Sequence, residues 1–212
     1  LISHRNIIEE EEFRGEFWKP CPGTTDKYLC CGYQIITPIT GCGMYCSFCI
    51  LQEYHKKTKQ VVYTNLNEME DELRAKLEKH DGVVRFGTGE FADSLYLEKK
   101  YGRSVRLANF LSSYKNVLIE FKTKSVNINT LDKIKDPSKV VIAFSMNTPY
   151  MIKSLEIGTA SLEARLKAAA QCEKMGFWVA FHFDPMVWYP DWQKDYLEVV
   201  EKIYSTIKDY SK

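Results

Sequence analysis

Hydrophobic and polar positions alternate in two different rhythms along this chain. Short runs rich in β-branched and aromatic residues fall at 33–40, 83–89, 117–124, 140–146 and 178–184, the length and character of buried strands. Between them, apolar residues recur every three to four positions at 68–80, 105–114, 131–134, 161–175 and 191–210, the period of an amphipathic helix. Ser161-Leu162-Glu163 reads as a helix start and Gly176 as its stop. Strands alternating with helices predict parallel βα units joined by right-handed crossovers. Five units are too few for a closed eightfold barrel. The expected fold is therefore α/β, a partial (β/α)6-type TIM-like barrel that is open along one side. Its functional mouth is expected at the carboxyl ends of the strands. A sixth strand does not appear in the pattern, so a chain truncated after the fifth strand–helix unit is expected.

The first 32 residues are more polar and carry four consecutive acids, Glu9 to Glu12. They read as an N-terminal extension, an ordered surface arm or a solvated helix end, before a barrel domain over 33–212. Charge adds little: 29 Lys and Arg against 28 Asp and Glu give a net +1, with no global attraction to nucleic acid. No apolar run approaches the roughly 20 residues of a membrane span, and Leu1-Ile2-Ser3-His4-Arg5 is no secretory signal. A cytoplasmic location without membrane contact is the expectation. Seven cysteines, with Cys30 and Cys31 adjacent and three more in a close triplet, suit metal ligation in a reducing compartment better than disulfides.

That triplet is the most informative chemistry in the chain. Cys42, Cys46 and Cys49 lie in Gly41-Cys42-Gly43-Met44-Tyr45-Cys46-Ser47-Phe48-Cys49-Ile50, spaced C-x3-C-x2-C. Three thiolates on a [4Fe-4S] cluster leave one iron without a protein ligand, where a small molecule could bind and be reduced. Structural zinc is an alternative that needs a fourth ligand, with His55 the nearest candidate. A closed ferredoxin-like cluster is another. The spacing, with an aromatic residue before the last cysteine, resembles the signature of radical S-adenosylmethionine (radical SAM) enzymes.

Four further strand ends would converge on the same mouth. Gly87-Thr88-Gly89 lets backbone approach the amine of SAM closely, and Glu90 could add a carboxylate; a tight turn explains the same glycines. Lys122 and Lys124 alternate along their strand and share a face, suited to the cofactor carboxylate or simply to solvent. Ser145 and Asn147 offer hydrogen bonds to a ribose. His182 and Asp184 flank Phe183 in an apolar run, as a substrate-positioning or proton-transferring pair or as a hydrogen-bonded core pair. Trp188, Tyr189 and Trp192 form a packing cluster or a stacking surface. Cys172 reads as a buried, inert thiol. Cys21, Cys30 and Cys31 fit an incidental disulfide, a redox thiol or a hydrogen-atom donor, while a second cluster is awkward for adjacent cysteines.

From about Tyr33 to about Tyr196 the sequence resembles the spore photoproduct lyase family of radical SAM enzymes. The resemblance rests on Gly41-Cys42…Cys49-Ile50-Leu51-Gln52, Arg85-Phe86, Lys122-Thr123-Lys124-Ser125, Phe144-Ser145-Met146-Asn147 and Glu156-Ile157-Gly158-Thr159-Ala160-Ser161-Leu162-Glu163-Ala164-Arg165, then Ala168-Ala169. It implies a partial TIM-like barrel, a [4Fe-4S] cluster, and SAM cleaved to methionine and a 5′-deoxyadenosyl radical. It also implies that Lys124, Ser145 and Arg165 contact SAM and that the Phe48 region borders the adenine. The family's DNA-repairing members return a hydrogen atom from a cysteine near the end of the second strand, a position held here by Glu90. They place tyrosines on both sides of the last cluster cysteine, where this chain has Phe48 and Ile50. Their DNA-gripping C-terminal segment lies beyond Lys212. The implied activity is a lyase-like radical SAM enzyme that abstracts hydrogen from an unidentified organic substrate, fed by an external one-electron reductant such as flavodoxin or ferredoxin. Repair of thymine photodimers in DNA with a different hydrogen donor is the less favoured alternative. A non-catalytic iron–sulfur or zinc-binding module is the third.

Overall fold

The computed structural model describes residues 7–23, 27, 32–54 and 59–209. Their strands are β1 (Ile8–Glu11), β2 (Trp18–Pro20), β3 (Gln34–Ile36), β4 (Ile39–Thr40), β5 (Tyr45–Cys46), β6 (Gln60–Tyr63), β7 (Val84–Gly87), β8 (Val117–Thr123), β9 (Val140–Ser145), β10 (Glu156–Ile157) and β11 (Trp178–His182). The helices are α1 (Leu51–Tyr54), α2 (Leu66–Leu77), α3 (Glu98–Tyr101), α4 (Arg103–Leu111), α5 (Pro149–Leu155), α6 (Leu162–Lys174) and α7 (Trp192–Thr206), with short 3₁₀ turns at Leu131–Lys133 and Pro137–Lys139.

Six strands form the main sheet in the order β11-β9-β8-β7-β3-β2. The five predicted strands, β3, β7, β8, β9 and β11, run parallel, and β2 adds an antiparallel edge. Among the described residues β11 and β2 do not pair with each other, so the barrel stays open. The fold is the expected partial (β/α) barrel.

Side-chain alternation divides this sheet into two chemistries. On β8, Val117, Ile119 and Phe121 are buried in the main core with Leu73 of α2, Leu107 of α4 and Ala169 of α6. Leu118, Glu120 and Lys122 point to the opposite, inner face. Burying one large apolar side chain contributes roughly 1.5–3 kcal/mol, so the outer face holds the helices while the inner face is left to polar chemistry.

Local signals set the boundaries. The Ser161 hydroxyl caps α6 by accepting from the Ala164 N–H at 3.2 Å, and Gly176 follows the helix at a φ of +89°. The predicted strand at 33–40 divides at Pro38, which has no N–H to donate. Its first part joins the main sheet as β3, and its second part, β4, pairs with β6 in a small sheet ordered β1-β6-β4. The acidic Glu9–Glu12 run is the ordered surface arm of the two expected forms, because β1 pairs parallel to β6 and Lys59 bridges Glu9 and Glu11. The 131–134 segment is a single 3₁₀ turn rather than an α-helix.

Phe121 is fully buried between sheet and helices. Phe121→Ala is expected to lower unfolding stability by about 3–5 kcal/mol, measured by denaturant titration.

Candidate functional site

The cysteine loop leaves β4 through Gly41, whose φ of +79° and tight packing require glycine: a Cβ there would lie 2.5 Å from the Lys59 carbonyl oxygen. The Gly41 N–H donates to the Phe91 carbonyl at 2.8 Å. Beyond it, β5 pairs antiparallel with β10, placing Cys46 opposite Glu156. The Cys49 N–H turns back to the Cys46 carbonyl at 3.1 Å, and the Gln52 side chain donates to the same carbonyl at 2.6 Å.

A cleft of about 340 Å³ opens at the carboxyl edge of the sheet. Cys42, Cys46, Phe48 and Cys49 form one wall, and Gly89, Glu90, Lys122, Lys124 and Ser145 the other, with Asp184 at the rim. Three thiols from one loop line one cleft, a donor set of the kind a three-thiolate metal centre needs. Among the described residues no trio of His, Cys, Asp or Glu is already drawn into metal-holding proximity. Burial, with Asp93 nearby, pushes the Cys42 thiol up to about 12, and burial pushes Cys46 up to about 12 despite the neighbouring Lys124. A thiol raised in this way becomes the ligating thiolate when a metal supplies the compensating charge. His55, the candidate fourth ligand of a zinc site, lies outside the described residues, as do Cys30 and Cys31.

The opposite wall is held rigidly. Asp93 accepts from the Thr123 hydroxyl at 2.7 Å, the Lys124 N–H at 2.6 Å and the Leu95 N–H at 3.0 Å. Burial nonetheless raises its pKa above the ordinary carboxylate value. This carboxyl pins the end of β8 and so places Lys124, whose ammonium lies 5.8 Å from the Phe48 ring centroid across the cleft. Lys122 reaches the rim and pairs with Asp184 at 3.0 Å; that hydrogen bond and charge hold the Asp184 carboxyl below its usual range.

Several expected site residues stand elsewhere. Gly87 backs onto Tyr33, and any Cβ there would fall on the Tyr33 hydroxyl, so this glycine makes room for a phenol rather than a cofactor. The Thr88 hydroxyl donates to Ser94 at 2.8 Å. Asn147 is buried, accepting from the Tyr196 hydroxyl at 2.6 Å and donating to Glu156 at 3.3 Å, and it does not line the cleft. Arg165 is fully enclosed: its guanidinium donates to the carbonyls of Ala160 and Ser145, the Thr159 hydroxyl and the Glu156 carboxylate. With Nε, Nη1 and Nη2 all turned to protein acceptors, it braces the site from behind the cysteine wall. His182 and Asp184 do not form a pair. His182 bonds Glu120 at 3.2 Å on the inner face of the sheet, and only Asp184 reaches the cleft. Cys172 is buried as expected and pushed up to about 12 by desolvation. Trp192 packs edge-on against Tyr196, while Trp188 is 80% exposed.

Sequence reasoning passed over Asp93, Glu120 and Glu156. Glu120 offered a signal, a lone acid inside the apolar run Val117–Thr123. Glu156 opens one of the motifs that carries the family resemblance. Asp93 has only the short turn to Leu95 as a local signature, because its other partners, Thr123 and Lys124, come from the end of the next strand.

A family model described as spore photoproduct lyase matches residues 30–212. The chain belongs to the spore photoproduct lyase family. The spore photoproduct lyase of Clostridium acetobutylicum is 26% identical over 173 residues, covering 81% of this chain and 52% of that protein. The Bacillus subtilis (strain 168) spore photoproduct lyase is 26% identical over 166 residues, covering 77% and 48%. The chain thus spans about half the length of the curated relatives it matches. A spore photoproduct lyase mutant with dinucleoside spore photoproduct superposes at a TM-score of 0.88 with 20% identity, over 98% of this chain and 59% of that one. A second mutant, with bound AdoMet and dinucleoside spore photoproduct, gives 0.86 at 21% identity, over 95% and 58%. At these identities the likeness to the solved spore photoproduct lyases is one of fold.

Beneath the cleft, Glu120 joins Arg85 at 2.6 Å and His182 at 3.2 Å. Burial alone would raise its pKa, but the hydrogen bonds from His182 and Arg85 outweigh it and hold the carboxyl below its ordinary 4.5. A depressed folded-state pKa gives stability that is complete above the unfolded value and is lost as pH falls through the folded one. Glu120→Gln is therefore expected to flatten the dependence of melting temperature on pH below about pH 4.5. Identical acid limbs for the two proteins would contradict this.

Proposed function

We propose that Cys42, Cys46 and Cys49 hold a [4Fe-4S] cluster and that the chain cleaves SAM reductively, starting hydrogen abstraction from an organic substrate other than the spore thymine photoproduct. The observation that carries this reading is the shared cleft, with three thiols on one wall and the strand-end groups Glu90, Lys122, Lys124 and Ser145 on the other. When bound, the cluster supplies the electron that splits SAM into methionine and a 5′-deoxyadenosyl radical.

The residues divide the remaining work. The backbone at Gly89 and the Glu90 carboxylate receive the cofactor's amine. Lys124, oriented through Asp93, receives its carboxylate, and Ser145 offers a hydroxyl to the ribose. Phe48 supplies an apolar face for the adenine. Lys122 and Asp184, paired at the rim, narrow the entrance and limit water. A flavodoxin- or ferredoxin-like donor supplies the electron from outside. Glu90 stands where the family pattern places a hydrogen-donating thiol, and Phe48 and Ile50 replace the flanking tyrosines. A carboxylate and two hydrocarbon side chains have no weak X–H bond to give a product radical, which favours a different substrate. Repair of spore photoproduct in DNA is the second reading, supported by family membership and by relatives that hold dinucleoside spore photoproduct.

After anaerobic reconstitution with iron and sulfide, SAM plus dithionite is expected to yield 5′-deoxyadenosine, quantified by mass spectrometry, and Cys46→Ala is expected to abolish it. An intact cluster that yields none sinks the reading. Supplying dinucleoside spore photoproduct separates the two substrates: restored thymidine would establish the repair reading in place of the first.

A further inference from the structure

Behind the cysteine wall lies a buried ion pair that the chemistry above does not use. Glu156 and Arg165 have side-chain exposures of 1% and 0%, and Arg165 Nη2 donates to Glu156 Oε2 at 2.6 Å. Glu156 opens β10 and stands opposite Cys46 in its pairing with β5. The Ser47 N–H extends that pairing by donating to the Leu155 carbonyl at 2.9 Å. The backbone carrying the middle thiol is therefore anchored across β10, and the anchor's side chain ends in the ion pair.

Arg165 fastens this anchor to the barrel. Its Nη1 donates to the Ser145 carbonyl at 2.7 Å, at the carboxyl end of β9, and its Nε to the Ala160 carbonyl at 2.9 Å. Nη2 also reaches the Thr159 hydroxyl at 2.7 Å. The other Glu156 oxygen accepts from Asn147 at 3.3 Å, which is itself held by Tyr196 of α7. One guanidinium thus links the thiol loop, the strand end that lines the opposite wall, and the helix that carries it.

We infer that Glu156 and Arg165 are positioning residues for the metal centre: the pair fixes Cys46 against the end of β9 and sets the local charge that the thiolates and their metal experience. The inference rests on the cluster reading proposed above. Residues that orient a ligand from behind commonly change metal affinity about 10–100-fold when removed. Cluster potential follows nearby charge. Removing the Glu156 charge leaves the Arg165 charge uncompensated near Cys46, which favours the more negative, reduced cluster.

The experiment reconstitutes wild type, Glu156→Gln, Thr159→Val and Leu73→Ala anaerobically with ferrous iron and sulfide. Leu73 is a fully buried core residue of α2, away from the cleft. Iron loss to a chelator, the cluster's midpoint potential by electron paramagnetic resonance, and the melting temperature are measured for each. Glu156→Gln is expected to lose iron about 10–100-fold faster than wild type and to show a more positive potential. Thr159→Val should move iron loss in the same direction by less, and Leu73→Ala should lower the melting temperature alone. Wild-type iron loss and potential in Glu156→Gln would overturn the inference. So would equally fast iron loss from Leu73→Ala. Should Glu156→Gln fail to fold, Thr159→Val decides, and iron loss at the wild-type rate overturns the inference. Wild-type protein that takes up no iron overturns the cluster reading itself, and the inference with it.

Discussion

An arginine with no contact with water organises this molecule. A buried guanidinium is tolerable only when its donors find acceptors and its charge finds a counter-charge, and removing one partner typically costs about 3–5 kcal/mol. Arg165 meets that demand by collecting two carbonyls, a hydroxyl and the Glu156 carboxylate. Those acceptors belong to the end of β9, to β10 and to the turn before α6. Satisfying one buried charge therefore sets three segments in register, and the cysteine loop inherits its place from them through the pairing of β5 with β10.

The same logic recurs across the inner face of the sheet. The outer face is apolar and carries the helices, so stability comes mainly from one side of each strand. The inner face is free to hold Glu120 with Arg85 and His182, and Asp93 lies beneath the end of β8. Buried acids on an open barrel must be matched by donors from adjacent strands, and the aligned carboxyl ends of parallel strands bring those donors together. The cleft lies at that edge because several chain segments can each contribute one polar group there without disturbing the core.

Family membership and fold agree, and Phe48 and Ile50 flank the last thiol of the triplet. In the proposed reading Glu90, Phe48 and Ile50 stand in the places of hydrogen-atom donors, and none of them carries a thiol or phenol. That reading puts the holding of a cofactor and the finishing of a reaction on different residues of one scaffold. Chemistry can therefore change by a few substitutions while the barrel stays constant.

Periodicity alone was enough to locate the five parallel strands and the long helices α2, α6 and α7, because burial on a sheet face or helix stripe imprints a period of about two or 3.6 on the residues. The thiol triplet was equally legible, since metal ligation by a short loop requires close spacing. The small sheet β1-β6-β4 was not, because its residues alternate weakly and its pairing partners are far apart in the chain. Nor were the roles of the polar residues. Arg165 and Asn147 are polar residues near the strand ends by sequence, and their side chains meet at Glu156. His182 and Asp184, two positions apart, part company for Glu120 and Lys122. Which polar residues the chain carries, and on which strand each lies, was written in one dimension. Whether each meets solvent, cofactor or a buried counter-charge depended on which neighbour's side chain packed beside it, and only the tertiary structure decides that.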